Sequence, residues 1–151
     1  MHSFGSGSDG RFPQAGLIDV NGTFYGTTDG GGSYPCNGFY QGCGTVFSIT
    51  MNGTEKVLDS YGSGSDGSAP QASLIDVKNT LYGSTSSGGT YGDGTIFSIT
   101  MNGTEKVLHS FGSGSDGSTP QASLIDVKGS LYGTTSLGGT HGDGTVFSLT
   151  P

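Results

Sequence analysis

The sequence predicts an all-β protein, a β-propeller of four-stranded antiparallel blades with three blades in the chain. Three observations support this prediction. Glycine accounts for 31 of the 151 residues and recurs at regular intervals. Short segments rich in Val, Ile, Tyr, Phe and Thr alternate with Gly-rich turns, as in β-strands joined by tight connections. Only 30% of the residues are apolar and 11% are charged, which leaves too little material for long amphipathic helices.

A unit of about fifty residues occurs three times. The motif GSGSDG occupies Gly5–Gly10, Gly62–Gly67 and Gly112–Gly117. A second motif, GTVFSIT or a close variant, begins at Gly44, Gly94 and Gly144. The motif spacing is 50 residues except between the first two GSGSDG motifs, which lie 57 apart, so seven extra residues fall within 29–43. We therefore expect a single repeat domain over 1–151, with repeats at about 2–58, 59–108 and 109–151, the last one truncated after its third strand.

Four strand signals follow one another within each unit. In the second repeat they are Ser73–Val77, Thr80–Thr85, Thr95–Thr100 and Glu105–Phe111. Four antiparallel strands in about fifty residues are typical of a propeller blade. A stacked β-solenoid is the alternative, although its rungs are usually shorter.

Two residue types recur inside these strands. The second strand contains a glycine in every repeat (Gly26, Gly83 and Gly133), which predicts a close approach by the backbone of a neighbouring blade. The first strand contains an aspartate in every repeat (Asp19, Asp76 and Asp126). We expect these aspartates to line a central channel or to bond backbone groups of neighbouring blades.

The two ends of the sequence predict that several copies close one ring. His2-Ser3-Phe4 aligns with the end of a fourth strand, whereas Pro151 directly follows a third strand. Three blades are too few for a ring, since propellers have about four to eight. We expect His2, Ser3 and Phe4 to complete the last blade of a neighbouring copy, giving six blades in a homodimer or nine in a homotrimer. The homodimer is favoured, and the alternative is that the sequence is a piece of a longer repeat array.

The charge balance disfavours several classes of partner. A net charge of −7 with only five basic residues argues against nucleic acid and anionic membranes. No run of residues approaches the roughly 18 apolar residues of a membrane-spanning helix, and no secretory signal opens the chain. The histidines are replaced between repeats, since His109 corresponds to Asp59 and His141 to Tyr91. With no nucleophile–base pair or metal-ligand cluster, we expect no catalytic activity and no cofactor.

The two cysteines both lie in the insertion of the first repeat. We expect Cys36 and Cys43 to form a local disulfide, because a zinc site would need more ligands than this loop contains. The disulfide would stiffen a loop that carries Tyr34, Phe39 and Tyr40, which makes this loop a candidate for binding a partner. The alternative is that its aromatic side chains pack back onto the blade.

Five aspartates lie in loops that we expect on one face of the propeller. They are Asp9, Asp66 and Asp116 in the GSGSDG loops, and Asp93 and Asp143 before the third strand. Carboxylate and backbone oxygens of such loops can bind calcium, but the alternating carboxylates of dedicated calcium loops are missing. Capping of the loop by bonds to nearby backbone N–H groups is the favoured interpretation, with calcium as a weak alternative.

The repeating unit resembles a known bacterial tandem repeat. The pattern runs LHSFGSGSDG, LIDV, LYGTT, GDGTVFSIT and GTEKVL, and apart from the insertion it covers the chain. It is similar to the GloVer repeat. This resemblance implies a secreted or surface-sorted protein to which no catalytic activity is generally assigned.

We expect a noncatalytic extracellular scaffold with a binding or structural role, whose partners are other copies of itself and a glycan or another cell-surface component. The alternative is a carbohydrate-binding propeller lectin with pockets between its blades. Tyr25, Tyr82 and Tyr132 are the candidate platforms for sugar rings, although the absence of tryptophan weakens this alternative.

Overall fold

The computed structural model describes residues 1–36 and 42–151. Within these ranges the chain forms thirteen strands and no helix. The strands are β1 (Gly10–Arg11), β2 (Ile18–Val20), β3 (Thr23–Thr28), β4 (Gly30–Gly31), β5 (Thr45–Thr50), β6 (Glu55–Ser60), β7 (Ile75–Val77), β8 (Thr80–Thr85), β9 (Thr95–Thr100), β10 (Glu105–Ser110), β11 (Ile125–Val127), β12 (Ser130–Thr135) and β13 (Thr145–Leu149). The prediction of an all-β protein is confirmed.

Three antiparallel sheets correspond to the three repeats. The first sheet has the order β2-β3-β5-β6, the second β7-β8-β9-β10 and the third β11-β12-β13. In the second repeat, β8 and β9 have the predicted bounds, whereas β7 begins two residues later and β10 ends one residue earlier than predicted. The sequence did not predict the small β1–β4 pair, which contacts β3 and β5 of the first sheet.

The hairpin between the first two strands of a sheet explains the strand aspartates. Asn21 has a positive φ of 54° and Gly22 one of 81°, as a two-residue hairpin turn requires. The backbone N–H of Gly22 donates a hydrogen bond to Asp19 Oδ1 at 2.9 Å, and that of Gly129 donates to Asp126 Oδ1 at 3.0 Å. These two aspartates therefore bond the backbone of their own turns.

Strand alternation gives each sheet two apolar faces. We define the valine face of the first sheet by Ile18, Val20, Tyr25 and Val46, and use the same name for the equivalent residues of the other sheets. We define the phenylalanine face of the second sheet by Leu74, Leu81, Phe97 and Ile99, again with its equivalents. The register supports this division, since Ile18 pairs with Tyr25 and Leu81 with Ile99.

The core lies between consecutive sheets and is built in the same way twice. At the first junction, the valine face of the first sheet packs against the phenylalanine face of the second. At the second junction, the valine face of the second sheet packs against the phenylalanine face of the third. An aromatic ring that directly follows the last strand of the preceding sheet completes each junction: Tyr61 lies 5.4 Å from Phe97 and Phe111 lies 5.0 Å from Phe147, between ring centroids.

The glycine inside each second strand makes room for a phenylalanine of its own sheet. A Cβ at Gly83 would lie 2.6 Å from the ring of Phe97 and 2.8 Å from the side chain of Leu74. Gly26 and Gly133 meet the equivalent Phe47 and Phe147. The expected approach by a neighbouring backbone is therefore wrong, because the ring of the adjacent strand occupies this space.

Each end of the three-sheet stack leaves an apolar side chain exposed. On the third sheet, Val146 is 80% exposed, whereas its equivalents Val46 and Ile96 are fully buried. On the first sheet, Leu17 is 54% exposed, whereas its equivalent Leu74 is 1% exposed. The structure thus shows antiparallel sheets that stack in repeat order. No helix within the described ranges is long and apolar enough to cross a membrane.

Candidate functional site

The aspartates of the GSGSDG motifs cap their own loops. The backbone N–H of Gly5 donates to Asp9 Oδ1 at 2.9 Å, and the N–H of Gly112 donates to Asp116 Oδ1 at 3.1 Å. Asp66 accepts from two backbone N–H groups, those of Gly62 and Ser63, each at 3.1 Å. The carboxylates that could have bound calcium therefore satisfy the turns that hold them, as the favoured interpretation expected.

A histidine contacts the loop aspartate in two of the three repeats. His2 Nε2 lies 3.3 Å from Asp9 Oδ2, and His109 Nε2 lies 2.9 Å from Asp116 Oδ2. Asp59 occupies the same position in the middle repeat, so the histidine is replaced by a second carboxylate. Sequence reasoning missed this pairing, although the constant seven-residue spacing between the two positions signalled it.

The middle repeat consequently holds a cluster of acidic groups at the first junction. Burial raises the pKa of Asp59, and the carboxylate of Asp66 raises it further. Burial, reinforced by the carboxylates of Asp59 and Asp66, raises the pKa of Glu105 to about 7. The hydroxyl of Tyr61 is buried beside this cluster, and it has no hydrogen-bond partner among the described residues. Burial and these three carboxyl groups raise its pKa well above the ordinary value.

The loops between second and third strands meet the GSGSDG connections at one edge, which we call the loop edge. Its described segments are 29–36, 42–44, 86–94 and 136–144, together with the connections between repeats. The N–H of Thr119 donates to the carbonyl of Asp93 at 2.8 Å, and the N–H of Ala69 donates to the carbonyl of Cys43 at the same distance. Asp93 also lies against Gly112, and both Asp93 and Asp143 are exposed. The expected proximity of the two loop types therefore holds for Asp93.

The disulfide between Cys36 and Cys43 is present, with the two Cα atoms 5.1 Å apart. Cys43 is buried in the core of the first junction, and Cys36 packs against that core. Cys43 also stands where the other repeats have Asp93 and Asp143. The disulfide thus anchors the insertion to the framework of the loop edge. Tyr40 and Phe39 lie outside the described residues.

One protein family matches most of the chain. The family model described as the Gloeobacter/Verrucomicrobia repeat matches residues 35–151. The chain belongs to this family. The resemblance to the GloVer repeat is thereby confirmed. No curated protein and no solved structure matches the chain.

In this member of the Gloeobacter/Verrucomicrobia repeat family, the exposed tips of the loop edge differ between repeats. Tyr34 is 43% exposed and its equivalent Tyr91 is 57% exposed. The third repeat has His141 at this position, also exposed. Leu137 is likewise an exposed large side chain, and its equivalent in the second repeat is Ser87. The framework contacts thus recur while the tips change.

The tyrosines of the second strands do not form an equivalent set of sugar platforms. Tyr25 is buried in the first junction and Tyr82 packs against the core of the second junction. Tyr132 is exposed because it lies on the valine face of the third sheet. Across the described ranges, no group of three or more His, Cys, Asp or Glu side chains is arranged to hold a metal ion.

Proposed function

We propose that this protein is a noncatalytic extracellular scaffold of propeller type that presents the loop edge to a glycan or another cell-surface component. The observation that carries the proposal is the contrast at the loop edge between a repeated framework and varied tips. Loops that a rigid scaffold positions are the usual location of binding residues. Tyr34, Tyr91 and His141 are the residues that would contact the ligand.

The framework is suited to hold such tips in place. The loop aspartates use their carboxylates to bond backbone N–H groups of their own loops, and the backbone bonds to Cys43 and Asp93 tie one loop to the next. A hydrogen bond between a backbone N–H group and a charged carboxylate contributes about 1.5–3 kcal/mol to stability. The tips therefore lie on loops whose conformation is maintained without a ligand, which reduces the entropic cost of binding.

The disulfide supports the extracellular part of the proposal. Disulfides persist in oxidising compartments and are rare in the cytosol. Peptide mapping of the protein from its own host, with free thiols blocked at lysis, tests this point. We expect the Cys36–Cys43 link, and both cysteines recovered as thiols would contradict an extracellular location.

A binding assay on immobilised glycans and on isolated bacterial cell envelopes tests the scaffold function. We expect the parent chain to bind one of these probes and the variant with Tyr34→Ser and Tyr91→Ser to lose at least tenfold in affinity. Lys56→Ser, on an exposed part of β6, is the matched control and should bind like the parent. Equal binding by the tip variant, or release of a cleaved glycan product, would overturn the proposal.

A carbohydrate-binding lectin is the second candidate, favoured by the exposure of Tyr34 and Tyr91 at equivalent positions. Tyrosine rings can stack on the apolar faces of sugars, which requires the rings to be open to solvent. Binding to isolated glycans on the array, lost in the double tyrosine variant, supports this candidate. Binding to envelopes alone favours a different surface component.

A further inference from the structure

The valine face of the third sheet is an uncovered apolar surface. Ile125, Val127, Tyr132 and Val146 are all exposed there, and Ile125 is 60% exposed. A contiguous cluster of exposed apolar side chains marks an interaction surface. The same face is covered on the other two sheets, so its occupant can be read from the structure.

The same kind of surface covers the valine face at both internal junctions. The phenylalanine face of the second sheet covers the valine face of the first, and that of the third sheet covers the valine face of the second. A polar contact accompanies the apolar ones, since the hydroxyl of Thr27 donates to the carbonyl of Ala72 in the next repeat at 3.2 Å. The uncovered valine face therefore fits a phenylalanine face of this repeat type.

The first sheet carries a phenylalanine face without a neighbouring sheet. It consists of Leu17, Phe24, Phe47 and Ile49, by their equivalence to Leu74, Leu81, Phe97 and Ile99. Met1–Phe4 lies over part of it: the ring of Phe4 is 4.9 Å from that of Phe47. This matches the Tyr61–Phe97 and Phe111–Phe147 contacts. Met1–Phe4 thus occupies the place that the ends of β6 and β10 take at the internal junctions.

We infer that the valine face of the third sheet binds the phenylalanine face of the first sheet in a second copy of this chain. Met1–Phe4 of the second copy then lies along β13, as β6 lies along β5 and β10 along β9. By the register of Val46 with Asp59 and of Ile96 with His109, His2 of the second copy faces Val146. This inference rests on the propeller geometry of the proposed function and adds the surface that closes the ring.

The interface is heterologous, because two different faces meet, and such an interface closes into a ring when the rotation per copy divides a full turn. Two copies supply six sheets, within the usual range for propellers. Three copies supply nine. In either assembly every valine face is covered, and β13 gains a partner on its open edge.

Sedimentation velocity of the parent chain and of Val146→Asp tests the inference. We expect an assembly of two or three copies for the parent and a single copy for the variant. Because Val146 is exposed in the single chain, its substitution leaves the internal junctions intact, which the circular dichroism spectrum checks. Lys106→Asp is the matched control and should keep the parent mass, because Lys106 is an exposed residue of β10 in the second sheet, whose two faces are both covered within the chain. A single-copy parent, or an assembled Val146→Asp, overturns the inference.

Cysteine cross-linking tests the orientation of the two copies. Copies with Val146→Cys are mixed with copies carrying His2→Cys and oxidised, because directly opposed residues of paired strands have Cβ atoms about 4.5–5.5 Å apart. We expect disulfide-linked peptides that join the two substituted positions between copies. Linkage only between two Val146→Cys chains, or no linkage, contradicts the head-to-tail arrangement. Binding by the loop tips is measured in a separate assay. A failure of the two copies to cross-link can therefore be distinguished from a failure of the proposed function.

Discussion

Val46, Ile96 and Val146 occupy the same position in three nearly identical sheets, but their surroundings differ. The first two are fully buried and the third is 80% exposed. The strands that carry them nevertheless pair in one register, since Thr28, Thr85 and Thr135 each oppose the threonine that begins the next long strand. Sheet formation is therefore encoded within a repeat, whereas burial depends on the next repeat, as in other repeat proteins.

The buried threonine pairs strengthen this point. The hydroxyls of Thr85 and Thr95 lie 2.8 Å apart in the second sheet, and those of Thr135 and Thr145 lie 2.9 Å apart in the third. The hydrogen bond between the paired threonines is thus kept in the third sheet, although the valine face of that sheet is open. What the third sheet lacks is apolar contact on its valine face, so substitutions at covered and uncovered equivalent positions should differ in their effects on stability.

The largest expected difference is between Ile96→Ala and Val146→Ala. Ile96→Ala leaves a cavity in the second junction, so we expect the free energy of unfolding to fall by about 2–5 kcal/mol. Val146→Ala should change it by less than about 0.5 kcal/mol in the dissociated chain. Urea unfolding at low protein concentration measures both. An equal loss from the two substitutions would contradict the contrast between covered and uncovered faces.

A smaller difference is expected between Gly83→Ala and Gly133→Ala. The new methyl group at residue 83 meets the fully buried ring of Phe97, so we expect a loss of about 1–3 kcal/mol. At residue 133 it meets Phe147, which is only half-buried and can move. Gly16→Ala, at an exposed site, is the control. Unfolding experiments that rank Gly133→Ala above Gly83→Ala would show that the third sheet is packed as firmly as the second.

The pH dependence of stability should distinguish the middle repeat from the first. The folded-state pKa of Glu105 is raised from 4.5 to about 7, so the folded chain binds more protons than the unfolded chain between these values. The stability contribution of the protonated group is complete below pH 4.5 and is lost as the pH rises through about 7. Repeated unfolding measurements across this range should show stability falling with pH.

Three variants test the origin of that slope. Glu105→Gln should flatten it, and Asp59→His should also reduce it by placing beside Glu105 the residue that the other repeats have. At Glu55, burial likewise raises the pKa but the neighbouring His2 opposes the shift, so Glu55→Gln should have the smaller effect. A slope that survives Glu105→Gln would assign it to other groups.

Most strands could be predicted from the sequence because local residue preferences and the fifty-residue period agree. β8 and β9 combine β-branched and aromatic residues with glycine-rich ends, so both bounds were predictable. The β1–β4 pair was not, because it consists of three glycines and one arginine and carries no strand pattern. Its existence depends on the close approach of Gly10 to Thr28 of β3, a tertiary contact.

The loop edge was predictable only in part. The caps by Asp9, Asp66 and Asp116 follow from local turn chemistry, which sequence spacing reveals. The acidic cluster of Asp59, Asp66 and Glu105 joins groups from two sheets, so it required the stacking geometry. The same geometry places Tyr25 and Tyr82 in the junctions, and sequence alternation alone could not tell which face of a strand a neighbour would cover.

The mass of the parent chain in solution tests the central claim most directly, namely that a covered valine face is the rule and an open one recruits another copy. Light scattering of the parent chain at micromolar concentration should give the mass of two copies, or of three, and the mass should fall towards one copy on dilution. A stable and soluble single chain throughout this range would contradict the account.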